Sequence, residues 1–232
     1  MTAPVDPRPA VDAARDVVVV VAAGPGLGRA VAERFAREGA DVALVARSEQ
    51  PLRDLTAQVA RHGTRVTAAV ADAADEASLR GALAAVRDAL GAPTVLVFNA
   101  SVYVEGRPSE LAYDALMHGL RVGVGAAVVA VQEVAPAMRT AGRGTILLTG
   151  SEAALNPSVR AAGLGMAKAA LRNLAFSAAA ELGPDGVHVT TVTIRGMLAA
   201  GTAFDPDVLA ERYWQLHGQP PEQWQPELTI GR

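Results

Sequence analysis

The turn Ala22-Ala23-Gly24-Pro25-Gly26-Leu27-Gly28 is the part of this chain best suited to hold a ligand. Glycine lacks a Cβ, so Gly24, Gly26 and Gly28 let the main chain approach a bound group closely. The helix expected to open at about Arg29 aims its free N–H groups and the positive end of its dipole at the same spot. An anion belongs there, and the pyrophosphate of a dinucleotide matches the pattern best. A glycine loop that only turned the chain would need neither a buried strand before it nor a helix after it, and this one has both.

Arg47 refines that reading. Sites for NAD place an acid about 20 residues beyond the glycines, where it accepts from the ribose 2′-hydroxyl. Here Ala46 and Arg47 close the second strand, and the first carboxylate comes only at Glu49. Arg47 can instead grip a 2′-phosphate through a bidentate contact, with hydrogen bonds to charged groups worth about 1.5–3 kcal/mol. The expected cofactor is NADP(H), and an arginine merely solvated at a strand end is the plainer alternative.

Lys168 stands out because it is the only lysine, against twenty arginines. A flexible ammonium can lower a neighbour's pKa and bridge hydroxyls in a way a guanidinium fork does not. Glu152 could act as a base if partly buried, although a solvated surface role is the blander reading. Tyr103 follows Asn99-Ala100-Ser101 on a loop at the carboxyl end of a strand, where ligands of parallel sheets bind. Tyr113 and His118 read as structural. With no cysteine there is no thiolate or disulfide chemistry, and no metal site is expected.

These residues need a frame. The run Val17–Val21 is apolar at every position, as a strand buried on both faces of a parallel sheet must be. Further strand-like runs cover 41–46, 65–69, 94–98, 145–149 and 187–194. A helix follows the glycine turn and closes at Gly39, and a second is expected from about Asp75 to Leu90. Leu111–Met138 and Val159–Leu182 are apolar nearly all round, so the sheet and a second subunit are expected to cover them. Alternating strands and helices point to an α/β fold, a doubly wound parallel sheet of Rossmann type in one domain.

A length of 232 residues suffices for one such domain. A net charge of −3 gives no reason to invoke nucleic acid or an anionic membrane. No uninterrupted apolar run is long enough to span a bilayer. Residues 1–15 read as a loose tail rather than a signal peptide, 16–200 as the core, and a cytoplasmic location is the default.

Other motifs fall in a recognisable order. Val21-Ala22-x-x-x-Gly26-Leu27-Gly28 is followed by Asp72, then Phe98-Asn99-Ala100-Ser101, then Ser151 after Ile146–Gly150, and Lys168 after a further 17 residues. From about Asp16 to Gly196 the chain resembles the short-chain dehydrogenase/reductase family. The resemblance implies that Asp72 contacts adenine and that Asn99 and Ala100 flank the cofactor. It further implies that Ser151 orients the substrate oxygen and that Lys168 holds the nicotinamide ribose. Dimers or tetramers acting on small molecules are implied as well.

The pattern also breaks. Ala22 replaces the family's first glycine. Leu164 stands where the catalytic tyrosine is expected, and Gly123 where an asparagine is. Thr193-Ile194-Arg195-Gly196 replaces a Pro-Gly pair and puts a cation, Arg195, near the nicotinamide end. Only Glu227–Ile230 could supply a seventh strand. Tyr213, Trp214, His217 and Trp224, within 201–232, are expected either to close over a substrate as an apolar pocket or to plug a subunit edge.

The expected function is a divergent NADP(H)-dependent oxidoreductase acting on a carbonyl or conjugated alkene, with Tyr103 or water relaying the proton. Two alternatives stay open: a non-redox cyclase, isomerase or dehydratase using Ser151, Glu152 or Arg195, or a non-catalytic NADP(H)-binding protein.

Overall fold

A computed structural model describes residues 15–231. The expected tail over 1–15 lies almost wholly outside the described residues. Asp16 is no part of a loose tail: its carboxylate accepts from Thr94 Oγ1 at 2.7 Å.

Seven strands form one parallel sheet in the order β3-β2-β1-β4-β5-β6-β7. They are β1 (Val17–Val21), β2 (Asp41–Ala46), β3 (Val66–Val70), β4 (Val95–Phe98), β5 (Gly144–Ser151), β6 (Val187–Ile194) and β7 (Glu227–Ile230). β1 is buried at every position, as its five valines require. Between the strands run α1 (Leu27–Arg37), α2 (Glu49–Ala60), α3 (Glu76–Leu90), α4 (Tyr113–Leu120), α5 (Ala126–Ala141), α6 (Ala162–Leu182) and α7 (Pro206–His217). The doubly wound Rossmann-type fold is the one expected.

The two faces carry separate cores. α3, α5 and α6 cover one face through Leu79, Leu83, Val134, Met138 and Leu171. α1, α2 and α7 cover the other through Val31, Phe35, Leu55, Leu209 and Tyr213. Strand order reverses between β1 and β4, which opens a crevice at the carboxyl ends of these two strands.

Two expectations need correction. Helix α2 was missed, although Leu52, Leu55 and Val59 are buried at a helical spacing behind Ser48. The segment 111–138 is not one regular helix. A five-residue π turn, Arg121–Gly125, separates α4 from α5 and has Gly123 at its centre. Tyr113–Ala141 is long and apolar enough to cross a membrane by length and composition. Here it packs along the sheet and α3, and Glu133 within it accepts from Arg80 at 2.7 Å.

Candidate active site

The glycine turn bends over the carboxyl end of β1 and leaves its ligand side bare. A Cβ on Gly24 or Gly26 would meet nothing within 4 Å. Gly28 has the opposite duty: a Cβ there would lie 3.0 Å from both Ala22 O and Ala23 Cα, so glycine seats α1 against the turn. The helix opens at Leu27, two residues before the expected Arg29, with no acid in its first turn to compete for an anion. Below it lies a cleft of about 350 Å³ lined by Gly24, Pro25, Ala46, Arg47, Ser48 and Ala100, among others.

Arg47 lines this cleft and is exposed, with no ion pair recorded among the described residues. Beside it, Ser48 caps the start of α2 without spending its hydroxyl on a backbone N–H. A guanidinium, a free hydroxyl and a helix start with open amides therefore meet at one corner. Sequence reasoning found the first and missed the other two, because α2 itself was missed.

Asp72 stands beside Ala71 and Ala73, which line the cleft, and one of its oxygens accepts from Ala74 N at 2.9 Å. Asn99 ties the end of β4 to the glycine turn by donating from Nδ2 to Ala22 O at 3.3 Å. Ala100 is buried in the cleft wall.

The chemical end sits where β5 stops. Ser151 Oγ accepts from Ala153 N at 3.2 Å, capping a short turn over Glu152–Ala154. That contact uses a lone pair and leaves the hydroxyl proton free to donate. Lys168 comes from α6 and is 5 % exposed. Its Nζ donates to Thr149 O at 2.7 Å, the one hydrogen bond recorded for it among the described residues. Burial lowers its pKa from 10.5 to about 8.

Leu164 lies one helical turn before Lys168 on the same face of α6, so an apolar side chain holds the place of the expected phenol. Gly123 faces α6 so closely that a Cβ there would lie 3.3 Å from Ala167 Cβ. Gly119 and Gly163 both press on Val104, at 3.0 Å and 2.9 Å from a built Cβ. Small residues let α4 and α6 come close here, and a side chain at 123 would press on Ala167.

Arg195 follows β6, whose last residue Ile194 is in register with Ser151. Its Nη2 reaches Glu152 Oε1 at 3.4 Å, while the Glu152 side chain stays exposed, as a solvated glutamate would. Tyr103 is 63 % exposed and lines none of the clefts described. Tyr113 and His118 are exposed on α4 within this chain.

A sequence model of short chain dehydrogenases matches residues 16–205. The chain belongs to this family. It is 29 % identical over 201 residues to a 2,5-dichloro-2,5-cyclohexadiene-1,4-diol dehydrogenase of Sphingobium indicum, covering 86 % of this chain and 80 % of that one. A short-chain dehydrogenase from Rhodopseudomonas palustris superposes with a TM-score of 0.85 at 30 % identity, over 94 % of this chain and 98 % of its own. A metagenomic short-chain oxidoreductase in complex with NADP superposes with a TM-score of 0.85 at 29 % identity, over 93 % and 96 %.

In this short-chain dehydrogenase the C-terminal aromatics do not line a substrate pocket, which corrects the expectation for that segment. Tyr213 is wholly buried and shares a 2.9 Å hydrogen bond with Thr149 Oγ1. Trp214 packs edge-on against Phe35 of α1, with ring centroids 5.2 Å apart. His217 lies between Asp16 and Thr145, at the amino-terminal end of the sheet, far along the strands from Ser151. Trp224 stacks on His188 at 5.0 Å. β7 forms as the seventh strand, and Arg172 of α6 grips its Glu227 at 2.6 Å.

Proposed function

We propose that this short-chain dehydrogenase is an NADP(H)-dependent oxidoreductase of divergent type, acting on a carbonyl or conjugated alkene of a small organic molecule. The observation that carries the reading is the cleft: bare glycines 24 and 26 lie at a helix start, with Arg47 and Ser48 at its far corner. NADP(H) fits these residues. The turn Gly24–Gly28 would hold the pyrophosphate, Arg47 and Ser48 the 2′-phosphate, and Asp72 the adenine. Asn99, Ala100 and Lys168 would flank the nicotinamide half, with Arg195 a cation near that end. The metagenomic relative in complex with NADP supports the choice of cofactor.

Bound there, the cofactor would supply or accept hydride. The chain's own part is positioning and proton handling. Ser151 would donate its free hydroxyl proton to the substrate oxygen and orient the carbonyl. Lys168, charged below about pH 8, would supply positive charge as negative charge develops on that oxygen. With Leu164 in place of a phenol, the proton would travel through Tyr103 or water.

Missing acid–base groups cost roughly 10²–10⁴ in rate, so turnover is expected to be slow. The closed seam at Gly123 also favours a second reading, a non-redox conversion on the same scaffold. Exposed Tyr113, Met166 and Phe176 on α4 and α6 suit burial in a dimer or tetramer.

Titration of NADPH and NADH by cofactor fluorescence, followed by turnover on a carbonyl and enone panel, tests the proposal. NADPH is expected to bind tighter than NADH, and Arg47→Ala to weaken NADPH by about 10-fold or more while leaving NADH nearly unchanged. Equal losses for both remove the 2′-phosphate assignment, and binding without turnover favours the non-redox reading.

A further inference from the structure

Arg195 is poorly used by the protein that surrounds it. Its main chain is fixed, since its N–H donates to Ile230 O at 2.8 Å and so ties it to β7. The side chain is fixed much less. Nε is buried with no hydrogen-bond partner among the described residues. Nη2 approaches only Glu152 Oε1, at 3.4 Å, and that oxygen already accepts from Asn156 Nδ2 at 2.9 Å. A guanidinium carries five N–H donors in a planar fork, and among the described residues this one has a single long contact.

Other arginines of the fold contrast with it. Arg65 meets Asp41 at 2.7 Å and Arg172 meets Glu227 at 2.6 Å, each through two nitrogens on a carboxylate. Such forks show what a guanidinium does when it serves the fold alone. Arg195 instead stands at the carboxyl end of β6, one residue past the level of Ser151, and its side chain is 30 % exposed. Its loosely held counter-ion, Glu152, is the neighbour of that serine in the chain. A partly exposed guanidinium is thus held one residue past the level of Ser151, its buried Nε short of an acceptor among the described residues.

We propose that Arg195 is a receptor for a carboxylate on the substrate, so that the site takes oxo acids or the corresponding hydroxy acids rather than neutral ketones and alcohols. The carboxylate meets the terminal nitrogens of the guanidinium and displaces the long Glu152 contact. The carbonyl of the same molecule then falls toward Ser151. This inference rests on the reading of the carboxyl end of β5 and β6 as the substrate site, but not on the identity of the cofactor.

The test is titration calorimetry of the protein with and without saturating NADP⁺. The probes are two oxo acids of different bulk, pyruvate and benzoylformate, each against its methyl ester, which keeps the shape and removes the charge. At least one acid is expected to bind about 10-fold or more tightly than its ester. Arg195→Gln is expected to bring that ratio to near one, and Arg195→Lys to keep part of it. Glu152→Gln removes the competing carboxylate and is expected to tighten the acid several-fold, which decides the matter if Arg195→Gln does not fold. No acid preference in either pair, a preference that survives Arg195→Gln, or no tightening in Glu152→Gln overturns the proposal. Loss of NADP⁺ binding rather than acid binding in Arg195→Gln also overturns it and returns the arginine to the cofactor. Acid preference without any NADP⁺ binding leaves the proposal standing and removes the cofactor assignment instead.

Discussion

Lys168 is a cation where the surroundings disfavour one. Water is excluded, and among the described residues a single carbonyl accepts from it. A lysine held this way carries a folding cost that a surface arginine does not, which is the expected trace of a chemical role. Linkage gives its sign. The folded chain releases the proton near pH 8, whereas the unfolded chain holds it to about 10.5. The cost is therefore fully present below pH 8 and is relieved as pH rises to 10.5. Lys168→Met is expected to be more stable than the native chain at pH 7, by at most about 3 kcal/mol, with the gap closing between pH 8 and 10.5. Urea unfolding at pH 7, 9 and 10.5 measures it. A variant less stable by the same amount at every pH would show that the lysine is an ordinary structural donor. The same substitution is expected to weaken NADPH, because no ammonium remains for the ribose.

The turn between β1 and α1 holds the backbone feature that most departs from ordinary conformation. Ala22 has φ +63°, the only non-glycine among the described residues with positive φ. It occupies the position where the family pattern has its first glycine. An L-residue there costs about 1–2 kcal/mol, because its Cβ crowds the neighbouring carbonyl. Ala22→Gly is expected to stabilise the fold by about 1 kcal/mol after the loss of chain entropy in glycine is subtracted. Thermal unfolding reads this out, and destabilisation would mean that the methyl makes a packing contact worth more than the strain. The same turn shows what sequence patterns reach. Its strand, glycines and helix were all legible, because each follows from local sterics. Helix α2 was legible in principle, through Ser48 and the Leu52–Leu55–Val59 spacing, but Pro51 in its first turn reads equally well as a loop.

On the sheet as a whole, the chain after Gly201 is core rather than cover. α7 closes the α1 face through Leu209, Tyr213 and Leu216, and β7 completes the edge beside β6. Removing residues 202–232 would expose Phe35 and leave β6 unpaired on one side. The truncated chain is expected to lose cooperative unfolding, as followed by circular dichroism and hydrogen exchange. A truncated chain that still melts cooperatively and binds NADPH would restore the segment as a detachable lid.

Periodicity and turn chemistry were enough to read the parallel sheet and the glycine turn, and only the family resemblance marked Leu164 and Gly123 as standing where a phenol and an amide are expected. All of these rest on interactions among residues near one another in the chain, or on the identity of a single side chain. Placement of the aromatic tail at the amino-terminal end of the strands was not legible, nor was the burial of Lys168 against Thr149. The orphaned fork of Arg195 beside Glu152 was hidden as well. Each joins residues between 19 and 201 positions apart, through contacts that exist only once helices have packed on the sheet. An arginine looks the same in a sequence whether a carboxylate satisfies it or a ligand must.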